Sequence, residues 1–443
     1  MPIKVFFGVA LLLVAAAAAG AITLDDAVRL GLQQNPAQLA VRSQSDAARA
    51  AAKEAASQAL PRVILSEDLL WTNEPGNSLF ISLNQQRLKL SPTADAYNDA
   101  PARSDFATRL TLLQPLYNPD ISYGRKRAER QAEAAAAQEK YDRERLSFAI
   151  LQAYLGVQRA EANRQWVASS LKEAREILRI AETREQSGLG LKADTLSARV
   201  QLSESEQLGI SADNAIELAK RNLALQTGSD AEKLEIDAPL SADRFLPLPD
   251  PGNLQRADLQ ALSLQESAAR LAEKQSRAAW LPRLNMSASY ALHDRDYPFG
   301  AEANDWTVQA GLTWELFDGF SRQRATDRAS AELRSISLRR QQAQREANFA
   351  LEQARLQVDE IRQRLASSRD IQEAAAESYR LLLERYQNGL SPLTDLLAAQ
   401  TRLERSRAGL VAQETKLLLA MANVHQTNGT LLHALFGEER TAE

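Results

Sequence analysis

The sequence predicts a mainly α-helical chain that carries a small membrane-type β-sheet and needs further copies of itself to close a barrel. Three observations predict it. Landmark residues recur at a nearly constant offset, so the chain is an internal tandem duplication. Four short segments alternate apolar and polar residues with period two, the mark of strands with one oily face. Two very long segments lack proline and carry apolar stripes at heptad spacing.

The duplication is clearest in REQSGLGLKADTLSA, from Arg184, which recurs as RYQNGLSPLTDLLAA, from Arg385 (385 − 184 = 201). Asn222 to Gly228 recurs as Asn423 to Gly429 at the same offset. Asp105-Phe106 to Leu116-Tyr117 recurs as Asp305-Trp306 to Leu316-Phe317 (305 − 105 = 200), and Leu60-Pro61-Arg62 as Leu281-Pro282-Arg283. The division that follows is a signal peptide at 1–21, a first repeat at 22–229, a linker at 230–252, a second repeat at 253–429 and a C-terminal tail at 430–443. Each repeat reads helix, strand, loop, strand, long helix, turn, long helix.

The N-terminus has Lys4, an apolar run from Val5 to Val14, and small residues up to Ala19-Gly20-Ala21. That is the pattern of a cleaved export signal, with the mature chain beginning near Ile22. The chain has no cysteine, so it is not expected to be a lipoprotein and holds neither disulfides nor thiol catalysis.

The first strand of each repeat follows Leu-Pro-Arg. Leu284, Met286, Ala288, Tyr290 and Leu292 alternate cleanly; Val63 to Trp71 alternates less well, because Glu67 falls on the apolar parity. The residues between Trp71 and Ser104 are rich in Asn, Pro and Ser and read as a loop. The next strands are Phe106 to Leu116, with Pro115 near its end, and WTVQAGLTWELF, Trp306 to Phe317. In the latter Trp306, Val308, Leu312 and Trp314 share the apolar side, which is expected to face lipid. Strands of about 10 residues are long enough to cross a bilayer when tilted.

The helices come next. Ser122 to Ser187 and Ser321 to Asn388 run without proline, and Leu396, Leu403, Leu410, Leu417, Val424 and Leu431 are spaced by seven. Such lengths point to coiled coil. Gly188 and Gly389 supply the backbone freedom of a tight interhelical turn. Asp194 and Asp395, early in the returning helices, are placed to cap them. A proline-rich linker, Asp230 to Gly252, joins the repeats.

Four strands are too few for a barrel in one chain, and an open sheet edge in hydrocarbon strands its N–H and C=O groups. Oligomerisation removes the edges. Three chains give a 12-stranded barrel (3 × 4 strands) and enough helical hairpins to ring a hollow tunnel, which favours a trimer over a dimer. Catalysis finds no footing: His293, His425 and His433 are scattered, and no phosphate loop, dinucleotide fingerprint or HExxH is present. No cofactor or metal is expected. With a net charge of −4 and no basic tract, neither is nucleic acid.

On the opening helix ITLDDAVRLGLQQNP, the two Leu-Pro-Arg motifs and the twin turns SGLGLKADTLSA and NGLSPLTDLLAA, the mature chain resembles the TolC family of outer-membrane efflux proteins. The resemblance implies a homotrimer with a shared barrel in the outer membrane and a periplasmic α-helical tunnel. It implies a passive exit duct of a tripartite efflux or type I secretion system. Its partners would be a periplasmic adaptor (membrane fusion protein), an inner-membrane transporter and outer-membrane lipid. It places a gate at the periplasmic tip, with Asp395 in an acidic ring, Tyr386 at the centre of a hydrogen-bond network and Asp194 as its partner. Adaptor docking would fall on the turns Ser187, Gly188, Leu189 and Asn388, Gly389, Leu390. Two departures bear on the gate: a second acidic position of some members is Ala398 here, and a tip arginine is Ser391. Arg199 and Arg402 are candidate substitutes. The competing reading is a periplasmic adaptor, or a structural coiled-coil envelope protein without a pore.

Overall fold

The computed structural model describes residues 22–89, 98–230, 235–236, 240–250, 252 and 254–437. The expected signal peptide, parts of the linker and the last tail residues lie outside them. Helix α1 (Leu24–Gln34) is capped by Thr23, whose Oγ1 accepts from the Asp26 amide, and α2 (Pro36–Ser57) follows. Then come β1 (Arg62–Thr72), α3 (Pro75–Asn84), β2 (Arg103–Tyr117), α4 (Pro119–Gln186) and α5 (Lys192–Thr227). The second repeat supplies α6 (Ala257–Ala278), β3 (Arg283–Asp294), β4 (Ala303–Thr313), α7 (Ser321–Gln387) and α8 (Leu393–Asn428), and a short α9 (Leu431–Phe436) ends the described chain. The duplication shows in the elements themselves: α4 and α7 have 68 and 67 residues, and α5 and α8 both have 36. At 1.5 Å per residue the longer pair each run roughly 100 Å.

One compact unit comprises 43–138 and 258–344 and contains the sheet. Its strands pair antiparallel in the order β1-β2-β3-β4. The register carries the apolar parity across all four strands: Leu65, Leu110, Tyr290 and Trp306 form one row, and Val63, Leu112, Ala288 and Val308 another. The opposite face carries Ser66, Arg109 and Asp305, then Thr111, Ser289 and Thr307. Glu67 stands on the apolar parity, as its sequence position requires. Its carboxylate accepts from the hydroxyl of Thr108, directly opposite, and from the Phe299 amide, so its oxygens are not left bare.

The strands differ from their sequence reading in three places. β2 has 15 residues, and its register shifts between Pro115 and Tyr117, because proline cannot donate to the ladder. β4 ends at Thr313, so Trp314 to Phe317 lie beyond the strand, and the Trp314 indole Nε1 donates to Trp280 O at 3.0 Å. The Asn/Pro/Ser-rich β1–β2 connection is not loop throughout: α3 starts at Pro75, favourable in a first helical turn, and continues through the apolar Leu79 to Leu83.

The other unit comprises residues to 42, 139–257 and 345 onward. A core of Leu24, Val28, Ile150, Tyr154, Leu223, Phe245, Leu351, Met421 and Val424 joins helices of both repeats. The heptad stripe is partly used: Leu396, Leu403 and Val424 are buried, whereas Leu410 and Leu417 are half-buried. Leu431 does not continue the helix. Gly429, in the left-handed conformation, ends α8, and Leu431 opens α9 within the expected tail.

Glu144 holds the start of α9, its carboxylate oxygens accepting from the Leu432 amide at 3.2 and 3.3 Å. Burial outweighs those bonds and pushes the carboxyl up to about 7. Between the ordinary value of 4.5 and about 7 the unfolded chain has lost a proton that the folded chain keeps. Stability should therefore fall as pH rises through that window, by about 3 kcal/mol per chain at most, and stay flat above it. Unfolding of detergent-solubilised Glu144→Gln is expected to lose this slope; an unchanged slope would assign the pH dependence to other groups.

Candidate functional site

Both hairpin turns are built the same way. Gly188 and Gly389 take φ of +75°, where a side chain is strained, and the chain closes by Leu189 N to Arg184 O (2.9 Å) and Leu390 N to Arg385 O (2.8 Å). Leu189 and Leu390 stand out, 76% and 68% exposed, and Ser187, Gly188, Asn388 and Gly389 are exposed beside them.

The returning helices start at Lys192 and Leu393 with Asp194 and Asp395 in their first turns. Neither carboxylate closes a cap: the N-cap positions are Leu191 and Pro392, without side-chain hydrogen bonds. Both acids still lie where the helix dipole favours negative charge.

Tyr386 sits at the centre of the tip, 2% exposed, in a cluster with Ile177, Ala181, Ala198, Leu393 and Leu396. Burial pushes its phenol up, and the nearby Asp194 carboxylate adds to the effect. Among the described residues its hydroxyl has no hydrogen-bond partner, and the same holds for Thr195 Oγ1 and Ser391 Oγ. Asp194 and Tyr386 are thus neighbours without a bond, and Asp395, exposed, is paired with neither.

At the turns themselves the hairpins are joined by Arg184; further along, Arg407 of α8 pairs with Glu173 of α4 at 3.0 Å. Arg184 Nη1 donates to Tyr386 O at 2.7 Å and Gln387 O at 3.4 Å, its Nη2 to Leu189 O at 3.3 Å, and its guanidinium lies 5.2 Å from the Tyr386 ring centroid. One arginine of the first hairpin therefore satisfies the carbonyls that end α7 in the second. Sequence reasoning met Arg184 only as a repeat landmark. Its equivalent, Arg385, reaches only Leu390 O of its own turn, at 3.5 Å. The equivalent of Tyr386 in the first repeat is Glu185 (386 − 201), so Arg385 has no matching ring there to stack on. Of the candidates named from sequence, Arg199 pairs with Glu182 at 3.7 Å in an exposed setting, and Arg402 is exposed.

The geometry holds two helical hairpins pinned tip to tip in one unit and, in the other, a four-stranded sheet with a continuous apolar face and, among the described residues, no strand beyond β1 or β4. Residues 27–229 and 252–430 match the profile of the family described as outer membrane efflux protein. The chain belongs to the outer membrane efflux protein family. It is 25% identical to the pyoverdine export outer membrane protein OpmQ of Pseudomonas aeruginosa over 353 residues, which cover 77% of this chain and 72% of that one. To the alkaline protease secretion protein AprF of the same organism it is 22% identical over 277 residues, covering 61% and 55%. Its fold is similar to that of VceC of Vibrio cholerae, with a TM-score of 0.77, 18% identity and coverage of 94% and 96%. It is similar again to the CmeC outer membrane channel of Campylobacter jejuni, with a TM-score of 0.78, 16% identity and coverage of 92% and 86%.

The chain of this outer membrane efflux protein is thus an outer-membrane channel component for efflux or secretion, and not the poreless adaptor or scaffold of the competing reading. Its fold class is the shared barrel of three chains, 3 × 4 = 12 strands, continued by a helical tunnel.

Proposed function

We propose that the protein is the passive exit duct of a tripartite assembly, closed at its hairpin tip and completed by a periplasmic adaptor and an inner-membrane transporter. The observation that carries the reading is the open sheet. The outer edges of β1 and β4 have no strand neighbour among the described residues, while one face is apolar from β1 to β4. In hydrocarbon such edges cost several kcal/mol per unpaired group, and identical copies supply the missing neighbours. Trp306, 73% exposed, with Val308 and Leu312, then faces lipid, and Trp314 lies just past the strand at the interface, where indole is favoured. No chemical step is assigned to the chain: it offers a route, and the transporter supplies the work.

At the tip, Asp395 carboxylates from three copies would converge and favour cations. Tyr386 and Asp194 would form the wall behind them, with the Tyr386 hydroxyl left for a neighbouring copy. The test is the purified protein in planar bilayers. It should need detergent, size as a trimer and conduct poorly with cation preference. Asp395→Ala should raise conductance and weaken that preference. A detergent-free monomer would end the duct reading; unchanged selectivity in the variant would remove only Asp395 from the gate.

Docking is assigned to the exposed turns, Ser187-Gly188-Leu189 and Asn388-Gly389-Leu390, where apolar side chains flank backbone open to close approach. Gly389 is a poor test position, because an added Cβ would lie 3.3 Å from the Arg184 guanidinium and disturb the pin as well. Leu390→Asp is the cleaner probe. It should abolish cross-linking to the cognate adaptor in cells with trimers intact; undiminished cross-linking would move docking elsewhere.

A further inference from the structure

Helix α3 and the residues after it to Arg87 pack on the polar face of the sheet, at the end where the strands are joined by loops. Asp105 on β2, His293 on β3 and Asp305 on β4 share the polar parity across three adjacent strands. His293, 2% exposed, brings Nδ1 to 2.7 Å from Asp105 Oδ2 and Nε2 to 2.9 Å from Asp305 Oδ2. The other Asp105 oxygen accepts from Gln85 Nε2 at 2.9 Å, and the same nitrogen lies 2.8 Å from Ser104 O. Gln85 is the residue that ends α3, and it too is buried. Arg103 Nε donates to Ser78 Oγ at 3.1 Å, and that hydroxyl donates to Pro101 O at 3.1 Å. Arg87 pairs with Glu302 of the β3–β4 loop.

We propose that α3 with Gln85 and Arg87 is a lid over the outer mouth of the barrel, latched to the lumen wall through Asp105. The inference rests on the reading that the polar face lines the lumen. The latch explains features that simple strand connection does not require. The β3–β4 connection joins its strands in eight residues, Arg295 to Glu302, without a helix. The β1–β2 connection instead carries a helix and is fixed at several polar points. A buried carboxylate–imidazole pair is costly unless every group is bonded; Asp305, 45% exposed, takes the second imidazole nitrogen of His293, and Gln85 completes the bonding of Asp105. The helix buries Ser78, Ile81 and Ser82 and leaves Phe80, 61% exposed, and Leu83 on its uncovered side. With α3 on the lumen wall, that side narrows the mouth, and the lids of three copies cover one another's Phe80 and Leu83.

The absence of native cysteine makes the test direct. Gln309→Cys lies on the polar parity of β4, four residues from Asp305, and is exposed within the chain. Intact cells are treated from outside with N-ethylmaleimide or with a polyethylene-glycol maleimide. Tyr297→Cys in the exposed β3–β4 loop is the control for surface access. With the native latch, the small reagent should label Gln309→Cys and the polymer should not. Adding Gln85→Ala and Arg87→Ala should admit the polymer roughly tenfold faster, the change expected from losing about one charge-assisted hydrogen bond per chain. Arg87→Ala with Glu302→Ala, which leaves every buried group in place, should act in the same direction and guards against misfolding of the first variant. Polymer labelling equally fast with and without the latch overturns the lid. Failure of both reagents at Gln309→Cys in every background, with Tyr297→Cys labelled, would instead show that the polar face does not line the lumen.

Discussion

Arg184→Ala should open the tip: conductance of the purified channel in planar bilayers is expected to rise several-fold, and Arg385→Ala should leave it nearly unchanged. The two residues occupy equivalent positions in the repeats, and each follows its turn's pattern of hydrogen bonds. They differ in reach. Arg184 bonds two carbonyls of the other hairpin and stacks on Tyr386, whereas Arg385 touches only its own turn. A hydrogen bond from a charged donor in a partly buried site is worth about 2 kcal/mol. Its loss shifts the closed-to-open ratio roughly 30-fold per chain. The ring contact adds a smaller amount of the same sign. Within one chain the Tyr386 hydroxyl has no partner among the described residues, so in the proposed trimer Arg184 holds the ring in place while a neighbouring copy is left to bond the hydroxyl. Equal conductance of the two variants would remove the pin and return the gate to Asp395 alone.

The period-two and heptad patterns carried most of the fold, because each reports a face that must be buried or immersed in lipid. Both turns were readable as well, since only a left-handed residue closes them and Gly188 and Gly389 supply it. α3 was hidden because its apolar run is short and flanked by Asn, Pro and Gln, so local composition spoke for loop while its position is fixed by Arg103 and Asp105, distant in sequence. The strand end at Thr313 was hidden for a related reason. The alternation continues through Trp314 and Leu316, but Trp314 turns its indole to Trp280 O. The tip shows the limit most sharply. Two arginines related by duplication look identical in sequence, and only the packing of Tyr386 against one of them assigns it a task.

The largest expected loss of stability from a single ionic side chain is at Arg322, and the comparison with Arg380 shows why. Arg380 has the denser carboxylate contacts, to Glu377 and to Glu384, both at 2.6 Å, yet all three side chains are more than half exposed. Solvent screening and the entropy of holding long side chains leave such pairs with little net effect. Arg322 is 6% exposed at the start of α7. Its guanidinium donates to Asp318 Oδ2 at 3.0 Å, to Glu315 O and, at 3.4 Å, to Ala279 O, and lies 4.2 Å from the Trp280 ring centroid. One side chain thus ties the exit of β4 to the end of α6. Arg322→Ala strands two backbone carbonyls and removes the cation from the Trp280 ring, which together should cost roughly 3 kcal/mol per chain. Lysine would not rescue it, because a single ammonium cannot span acceptors arranged around a planar fork. In detergent, Arg322→Ala should lower the thermal midpoint well beyond Arg380→Ala. Equal midpoints for the two variants would mean that burial does not decide which of these arginines the fold needs.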